Sequence, residues 1–384
     1  MAAAWYFLVI SAAAIVHVVI GYPAMLALRR RNIRPVAKDL NFTCGVSVVM
    51  AVHNGAAMID RKLKALTALN YPPELLEIIV ISDGSTDDTD AIVQAFGDAR
   101  VRLLRVRHGG KAAALNRGFA VAQGEILFFT DVRQPLEPDC LRHLVANLAD
   151  PNVGAVSGEM RLLAGERGEQ RDMDLYWRYE VWARTRHSEI DSLFNTTGCI
   201  YAMRRSLALP LPADTLTDDA VLPLRAFFKG YRVVFEPEAI AYDYPAVAGT
   251  EFRRRFRTLA GLWQVFGRLP ELFTSKNRMR FHFVSHKFGR LVLPWAILVF
   301  MSSTVALPRS VLRNFLLLAE GGWLLMALIN GFIAPRFPLK RLTSPASTFL
   351  VMNVAAMAAI VVFFVPAVRL WAPTKTDEAD SRGR

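Results

Sequence analysis

Two aspartates stand directly behind runs of apolar residues in the first half of the chain. Asp83 follows the run IIVIS, and Asp131 follows ILFFT, so each carboxylate ends a candidate buried strand. In a parallel sheet the carboxyl ends of the strands share one edge, and ligands bind beyond that edge. Two carboxylates that converge there could hold Mg²⁺ or Mn²⁺ together with a diphosphate. The acidic and hydroxyl residues after Asp83 are also good helix N-caps, so capping accounts for part of this acidity.

Lys111 and Asp219 also carry candidate chemistry. Lys111 follows two glycines in RHGGKAAALNRG and begins a predicted helix, whose N-terminus favours an anion. Asp219 lies in the first turn of a second predicted helix, which ends near Gly230. Taken alone, the position of Asp219 is best explained by compensation of the helix dipole, worth about 0.3–1 kcal/mol.

Over roughly residues 40–250, stretches that predict strands alternate with stretches that predict helices. These elements must position the candidate residues. Short apolar runs predict strands at 46–52, 76–82, 101–106 and 125–131, with helix-like stretches between them. Strands that are apolar on both faces and joined by helices predict an α/β domain with a mostly parallel sheet.

The two ends of the chain are more apolar than the middle, within a composition of 53% hydrophobic residues and a net charge of +12. Residues 1–30 predict one transmembrane helix, and residues 288–372 predict three more, at 291–307, 315–334 and 349–371. A short tail, 373–384, follows the last one.

Basic residues flank these apolar segments, as in RRRNIR after the first segment and PRFPLKRL between the last two. The positive-inside rule predicts an N-terminus outside the cell, a cytoplasmic middle domain and a multi-pass protein of the inner (plasma) membrane.

The three cysteines, at 44, 140 and 199, show no metal-binding spacing and suit a reducing cytoplasm.

Residues 251–285 predict amphipathic helices at the membrane interface. Phe252, Phe256 and Trp263 share one helical face, while arginines lie away from it. No nucleic-acid-binding motif is present, and the basic residues lie beside apolar spans. Anionic lipid is therefore the predicted partner of this charge, and nucleic acid is not.

Six stretches, in this order, resemble family 2 glycosyltransferases of the membrane-embedded branch, which includes cellulose, hyaluronan, chitin and poly-N-acetylglucosamine synthases. They are VSVVMAVHNG, VISDGSTDDTD, GGKAAALNRG, FFTDVRQPLEPD, NTTGCIYAMRR and LTDDAVLPLRAFFKGYRV. The resemblance covers roughly residues 45–290. It implies a GT-A fold, a nucleotide-diphosphosugar donor such as a UDP-sugar, and inversion at the anomeric carbon.

The resemblance also implies roles for individual residues. Asp83 matches the aspartate that contacts the nucleoside, and Lys111 matches a lysine near the donor. Asp131 matches the first aspartate of the DxD motif, which meets the diphosphate and the metal, Mg²⁺ or Mn²⁺. Asp219 matches the general base that acts on the acceptor hydroxyl.

The acceptor is expected near Thr197 and Gly198 of NTTGCIYAMRR. The aromatic stretch DLYWRYEVWARTRHSEI contains Trp177 and Trp182. These tryptophans either form a stacking surface for a sugar acceptor or pack in a helical core, and the sequence favours neither.

Two positions depart from the family pattern. The DxD motif reads Asp131-Val132-Arg133, so the second carboxylate is missing, and Arg133 either contacts the phosphates or points to solvent. In RRRFRTLAG, Arg257 can fill the place of the arginine of the QxxRW motif, but Thr258 replaces the tryptophan. This replacement puts long-chain processivity in doubt.

The sequence therefore predicts an inverting, membrane-bound glycosyltransferase that extends a glycan acceptor, as in the synthesis of exopolysaccharide or cell-surface polysaccharide. One alternative is transfer of a single sugar to a lipid-linked acceptor. Another is a non-catalytic membrane receptor that binds a nucleotide or glycan, for which Arg133 is the best support.

Overall fold

The structure is a computed structural model, and it describes residues 2–28, 33–163, 170–244, 251–334 and 337–366. The predicted tail at 373–384, the end of the last predicted span and parts of both basic flanks lie outside the described residues.

One mixed sheet of seven strands forms the centre of the middle domain. The strands are β1 Val46–Val52, β2 Leu76–Asp83, β3 Val101–Val106, β4 Ile126–Thr130, β5 Val153–Leu162, β6 Ile200–Arg204 and β7 Arg232–Asp243. Their order across the sheet is β3-β2-β1-β4-β6-β5-β7, and only β6 runs antiparallel to its neighbours. The predicted α/β class with a mostly parallel sheet is confirmed.

Helices cover both faces of this sheet, and this explains why β1, β2 and β4 are apolar on both faces. The helices are α3 Ala56–Thr67, α4 Thr89–Ala95, α5 Lys111–Val121, α6 Cys140–Asn147, α7 Gln170–Ile190 and α8 Asp218–Phe228, with 3₁₀ turns at Pro73–Leu75 and Arg205–Leu207. One core lies between the sheet and α5 and α8, and the other lies between the sheet and α3 and α6. The carboxyl ends of the central strands consequently open on one edge.

The remaining helices join the domain to the apolar ends of the chain. They are α1 Ala2–Val16, a π-helical segment His17–Gly21, α2 Tyr22–Leu28, α9 Glu251–Arg268, α10 Arg280–His282, a second π-helical segment Phe283–Phe288, α11 Gly289–Ala306, α12 Val311–Ile329 and α13 Lys340–Ala358. Short 3₁₀ turns occupy Pro270–Phe273, Asn330–Phe332 and Ala359–Phe363.

Within the described residues, four continuous helical stretches are long and apolar enough to cross a membrane. They are Ala2–Leu28, Arg280–Ala306, Val311–Phe332 and Lys340–Phe363. The second, third and fourth each begin earlier than predicted, because their first turns contain charged residues that lower the local hydropathy.

Polar residues inside these stretches are paired between helices. The Nε2 atom of His17 lies 3.0 Å from the Ser285 hydroxyl, and Thr304 donates a hydrogen bond of 2.8 Å to Glu320. Such internal pairing offsets the cost of polar groups in hydrocarbon.

The N-terminal helical stretch also packs against the middle domain through Tyr22, whose side chain is fully buried. The Tyr22 hydroxyl lies 2.6 Å from Nε2 of His187 on α7 and 3.1 Å from Nδ1 of His282. Burial lowers the pKa of His187 to about 3, so this imidazole is neutral. The junction is therefore a packed cluster of aromatic rings and imidazoles around Tyr22.

Candidate active site

A cleft of about 360 Å³ opens at the carboxyl edge of the sheet, where the ends of β1, β2 and β4 meet the first turn of α8 and one face of α9. Most of the predicted site residues line it: Asp83, Lys111, Asp131, Arg133, Gly198, Asp219 and Arg257. Residues more than 170 positions apart in sequence thus meet in one site.

Asp83 is buried at the end of β2 and holds the loop before α5. Its Oδ1 accepts a hydrogen bond of 2.8 Å from the amide of Gly109, and its Oδ2 accepts one of 2.9 Å from the amide of Gly110. Gly110 has a φ of +85°, a conformation that favours glycine. Asp83 therefore fixes the turn that delivers Lys111, and its contact with a nucleoside stays a prediction.

We expect Asp83→Ala to lower the free energy of unfolding by about 1–3 kcal/mol, because two backbone amides lose their acceptor. Thermal unfolding of the purified full chain, followed by circular dichroism, measures the effect. Asp88→Ala is the matched control, since Asp88 is exposed in the loop after the same strand. Equal melting temperatures for the two variants would contradict the anchoring role.

Lys111 lies between carboxylates from two different elements. Its Nζ atom is 3.0 Å from Oδ1 of Asp131 and 3.4 Å from Oδ1 of Asp218. Burial alone would lower the pKa of Lys111, but the nearby carboxylates of Asp131 and Asp218 outweigh it and raise that pKa. The ammonium consequently stays charged in the cleft. Asp218, which was not among the predicted site residues, is part of this network.

Asp219 lies in the first turn of α8, with its carboxylate facing the cleft. Burial, together with the charge of the neighbouring Asp218, raises the pKa of Asp219 to about 7. A carboxylate with such a pKa is suited to accept a proton near neutral pH. Compensation of the helix dipole does not by itself require a buried carboxylate with a raised pKa.

Gly198 leaves the space in front of the Asp219 carboxylate open. A Cβ atom at position 198 would lie 3.3 Å from Oδ2 of Asp219, so a larger residue would crowd that oxygen. Thr197 is held on the opposite side, because its hydroxyl donates 2.9 Å to the carbonyl of Gly158 and its amide donates 2.8 Å to Ser157 Oγ. Thr197 therefore fixes the position of Gly198, and an acceptor contact for either residue stays a prediction.

Arg133 is paired within the protein, and the suggestion that it points to solvent is wrong. Its Nη2 lies 3.1 Å from the carboxylate of Asp243, the last residue of β7, which is fully buried. Gln134 also donates to this carboxylate, at 3.2 Å. Asp243 was not identified from the sequence as a site residue, although Asp243, like Asp83, is a carboxylate at the end of a strand. Arg133 also lines the cleft, so a phosphate contact stays a prediction.

The tryptophans of α7 are placed differently from the other predicted residues. Trp182 packs with Tyr179, at 5.7 Å between ring centroids, against a small core formed by Tyr22 and Leu26. Neither Trp177 nor Trp182 is among the described residues that line the cleft. This position favours the core-packing interpretation for Trp182, and the stacking role stays a prediction.

One face of α9 closes the cleft on the side of the apolar helix α13. Arg257 and Thr258 both line the cleft, one residue apart. Further along α9, Gln264 Nε2 donates 2.8 Å to the carbonyl of Asp214, and Trp263 Nε1 donates 3.3 Å to the carbonyl of Ala356 on α13. The helix α9 therefore joins the site to the apolar helix α13.

The carboxylates of the cleft suit a divalent ion whose coordination is completed by oxygens of a bound ligand. Asp131 is half-exposed, and Lys111 lies between it and Asp218, so the described carboxylates of the cleft do not form a closed cage. Mg²⁺ and Mn²⁺ sites of this kind use one or two carboxylates and complete their coordination with phosphate oxygens. The donor set is therefore compatible with a metal held at Asp131 by a bound diphosphate.

The fold is that of the GT-A glycosyltransferases. A solved structure with this fold is the mannosyltransferase PcManGT from Pyrobaculum calidifontis in complex with GDP-Man and Mn²⁺. It has a TM-score of 0.74 and 23% sequence identity, and the match covers 93% of this chain and 97% of that chain.

Residues 47–209 match the family model of the Glycosyl transferase family 2 domain. The chain is 29% identical over 266 residues to the probable glycosyltransferase YdaM of Bacillus subtilis (strain 168), covering 66% of this chain and 63% of that protein. It is 23% identical to the poly-beta-1,6-N-acetyl-D-glucosamine synthase of Staphylococcus aureus (strain COL), covering 67% and 64% respectively. The chain thus spans just under two thirds of the length of these curated relatives.

Proposed function

We propose that this protein is a membrane-bound, inverting glycosyltransferase that moves a sugar from a nucleotide-diphosphosugar to the hydroxyl of a glycan acceptor at the membrane surface. The observation that carries the proposal is Asp219, a carboxylate with a pKa of about 7 that faces the cleft opposite Lys111 and Asp131. The family 2 domain supports the same reaction class.

In the proposed reaction, Asp219 removes the proton from the acceptor hydroxyl. The acceptor oxygen forms a bond to the anomeric carbon as the bond from that carbon to the diphosphate breaks, and the diphosphate leaves with the electron pair. Attack from the opposite face inverts the anomeric centre. The space in front of Asp219 that Gly198 leaves open is where the acceptor oxygen would lie.

The leaving diphosphate needs positive charge, and stabilisation of developing charge is usually the largest catalytic contribution. Lys111 supplies one permanent cation, held in place by Asp131 and Asp218. Asp131 would hold a divalent ion, which adds positive charge at the diphosphate when bound. Arg257 lines the same cleft and is proposed as a further phosphate contact.

Incubation of the purified full chain with a panel of UDP- and GDP-sugars, with and without Mn²⁺ or Mg²⁺, tests the proposal. We expect release of the nucleoside diphosphate from one donor, most plainly a UDP-sugar, and loss of that release in Asp219→Asn. Saturable nucleotide binding without turnover of any donor would instead support a receptor. Arg133 does not support the receptor alternative, because the carboxylate of Asp243 balances its positive charge within the protein.

Product sizing separates the two enzymatic alternatives. A polymer synthase gives a ladder or a high polymer from a labelled donor, whereas transfer of a single sugar gives one discrete product. Thr258, in the place of the family's tryptophan, favours the discrete product.

For the membrane orientation, we propose a protein of the inner membrane with the catalytic domain in the cytoplasm. Basic residues after the first apolar helix support this orientation. A reporter enzyme fused after Lys38 should therefore be active only if it works in the cytoplasm. A reporter that is active only outside the cytoplasm, fused at the same position, serves as the control, and activity from it would reverse the assignment.

A further inference from the structure

Lys62 of α3 is a buried lysine to which the proposed reaction gives no role. Only 3% of this residue is exposed, and it lies on the same helix as the fully buried core residues Ile59 and Leu63. Lys64, two residues further on, is instead exposed and pairs with Asp60. Lysine is almost never fully buried in proteins unless its ammonium is paired. The burial of Lys62 therefore requires an explanation.

The ammonium of Lys62 contacts the segment that carries Asp131. Its Nζ donates a hydrogen bond of 2.8 Å to Oγ1 of Thr130, the last residue of β4, and one of 2.6 Å to the carbonyl of Gln134. Both acceptors belong to buried residues, so this head group does not extend into water as lysine head groups usually do. Within the described part of the chain, no carboxylate lies at ion-pair distance from this Nζ.

The two acceptors lie on either side of residues 131–133, and we call residues 130–134 the Asp131 loop. One ammonium joins the side chain at the end of β4 to the main chain four residues later. Hydrogen bonds from a charged donor are shorter and stronger than those between neutral groups. Lys62 thus closes the base of the Asp131 loop from the side of α3.

Strand β7 holds the same segment from the other side. The amide of Tyr242 donates 2.8 Å to the carbonyl of Pro135, and Gln134 Nε2 donates 3.2 Å to the carboxylate of Asp243. Arg133 lies 3.1 Å from that carboxylate as well. The end of the Asp131 loop is therefore fixed to β7, and Lys62 connects this end back to β4.

Stability does not account for a charge in this place. Burial lowers the pKa of Lys62 to about 8, although nearby groups such as Asp131 oppose this shift. The ammonium is therefore still protonated at pH 7 and donates both hydrogen bonds. A buried charge without an opposite charge beside it costs free energy of folding, and an apolar residue of similar volume is often neutral or stabilising in such a place.

We propose that Lys62 is a positioning residue for donor binding, which sets the place of the Asp131 carboxylate and the Arg133 guanidinium by closing the Asp131 loop. Both of these residues line the cleft, and Lys62 is not among the described residues that do. Lys62 would therefore act through the loop and not by contact with the ligand. This inference rests on the proposed function, in which Asp131 holds a divalent ion at the diphosphate.

Core packing alone is the competing explanation for Lys62. A lysine that only fills space can be replaced by methionine, which has a similar length and no charge, without any effect on ligand binding. A lysine that positions the Asp131 loop cannot, because a displacement of about 1 Å at a reacting group can cost about 10²-fold in rate. The two explanations thus predict opposite results for Lys62→Met.

Titration of UDP and of GDP into the purified full chain, with and without Mn²⁺, tests the inference by binding alone. The unaltered protein should bind the nucleotide more tightly when Mn²⁺ is present. Lys62→Met should reduce this Mn²⁺-dependent gain by about tenfold or more, because two hydrogen bonds from a charged donor are lost. Its melting temperature should stay equal or rise, because the buried ammonium is gone.

Lys64→Met is the matched control, because Lys64 lies on the same helix and is exposed. It should keep the whole Mn²⁺-dependent gain. Thr130→Val removes one acceptor of the Lys62 ammonium and leaves α3 unaltered, so it tests the inference even if Lys62→Met does not fold. It should also reduce the gain, and its combination with Lys62→Met should cause no further reduction, because both changes open the same link.

Several results would overturn the positioning role. They are an undiminished Mn²⁺-dependent gain in Lys62→Met, an equal reduction in Lys64→Met, and additive reductions in the double variant. A lower melting temperature, with equal loss of nucleotide binding with and without Mn²⁺, would show that Lys62 is purely structural. Absence of any Mn²⁺ effect on UDP and GDP binding by the unaltered protein would overturn the role as well.

Donor turnover by the unaltered chain tests the proposed function separately. If no donor is turned over but Lys62→Met reduces the Mn²⁺-dependent gain, the positioning role stands and the transferase proposal is removed. If a donor is turned over and the gain is undiminished in Lys62→Met, only the positioning role is removed.

Discussion

Asp219→Asn should lower sugar transfer by about 10²–10⁴-fold, the range that a positioned general base contributes. The substitution keeps size and hydrogen-bonding capacity but removes basicity, so the affinity for the nucleotide donor should be almost unchanged. Steady-state transfer rates and isothermal titration of the nucleotide, on the same preparation, measure the two quantities separately. Loss of nucleotide binding in Asp219→Asn would place this carboxylate in the donor site instead.

The adjacent Asp218 provides the control and a second readout. Its carboxylate contributes to the raised pKa of Asp219, so Asp218→Asn should lower that pKa and retain most of the transfer activity. A base works only when deprotonated, so transfer by the unaltered protein should fall as the pH drops below about 7. In Asp218→Asn this fall should begin at a lower pH. Identical pH profiles would argue against Asp219 as the titrating base.

Asp131→Asn should have the second largest effect, a loss of about 10²–10³-fold in kcat/KM. Lys111 would lose its partner at 3.0 Å, and the carboxylate proposed to hold a divalent ion would be gone. Unlike Asp219→Asn, this variant should also bind the nucleotide donor more weakly. Titration of the donor with and without Mn²⁺ measures both losses, because the unaltered chain should bind more tightly with the ion and the variant should not.

Asp60→Asn is the control for this experiment, since Asp60 forms an exposed ion pair with Lys64 on α3. Its donor affinity and kcat/KM should equal those of the unaltered protein. Full transfer by the unaltered protein in excess chelator would exclude the metal at Asp131 and leave Arg133 as the candidate phosphate ligand.

The strand ends could be predicted because they depend on local sequence. Asp83 and Asp131 each follow a run of apolar residues, and buried parallel strands are the natural interpretation of such runs. The edge at which they meet follows from the parallel arrangement, without any knowledge of side-chain contacts. The same reasoning, applied to the stretch before Asp243, would have added that carboxylate.

The contacts between distant segments could not be predicted in this way. Lys111 reaches Asp218 because the antiparallel strand β6 joins β4 to the second half of the sheet, and no local pattern encodes that pairing. The position of Trp182 likewise depends on the N-terminal helix, more than 150 residues away, whose side chains complete its surroundings. Periodicity identifies a buried face, but it does not identify what covers that face.

The buried hydroxyl of Tyr22 has a practical consequence for anyone preparing the chain without its first helix. Expression from residue 33 onward, which keeps the three apolar helices after residue 280, would remove the phenol that lies 2.6 Å from His187. The imidazole and the aromatic face of α7 would then meet solvent, and aggregation should follow although every residue of the cleft is still present. Preparations that retain the first helix, solubilised with detergent or held in a lipid disc, are the ones in which enzymology should succeed.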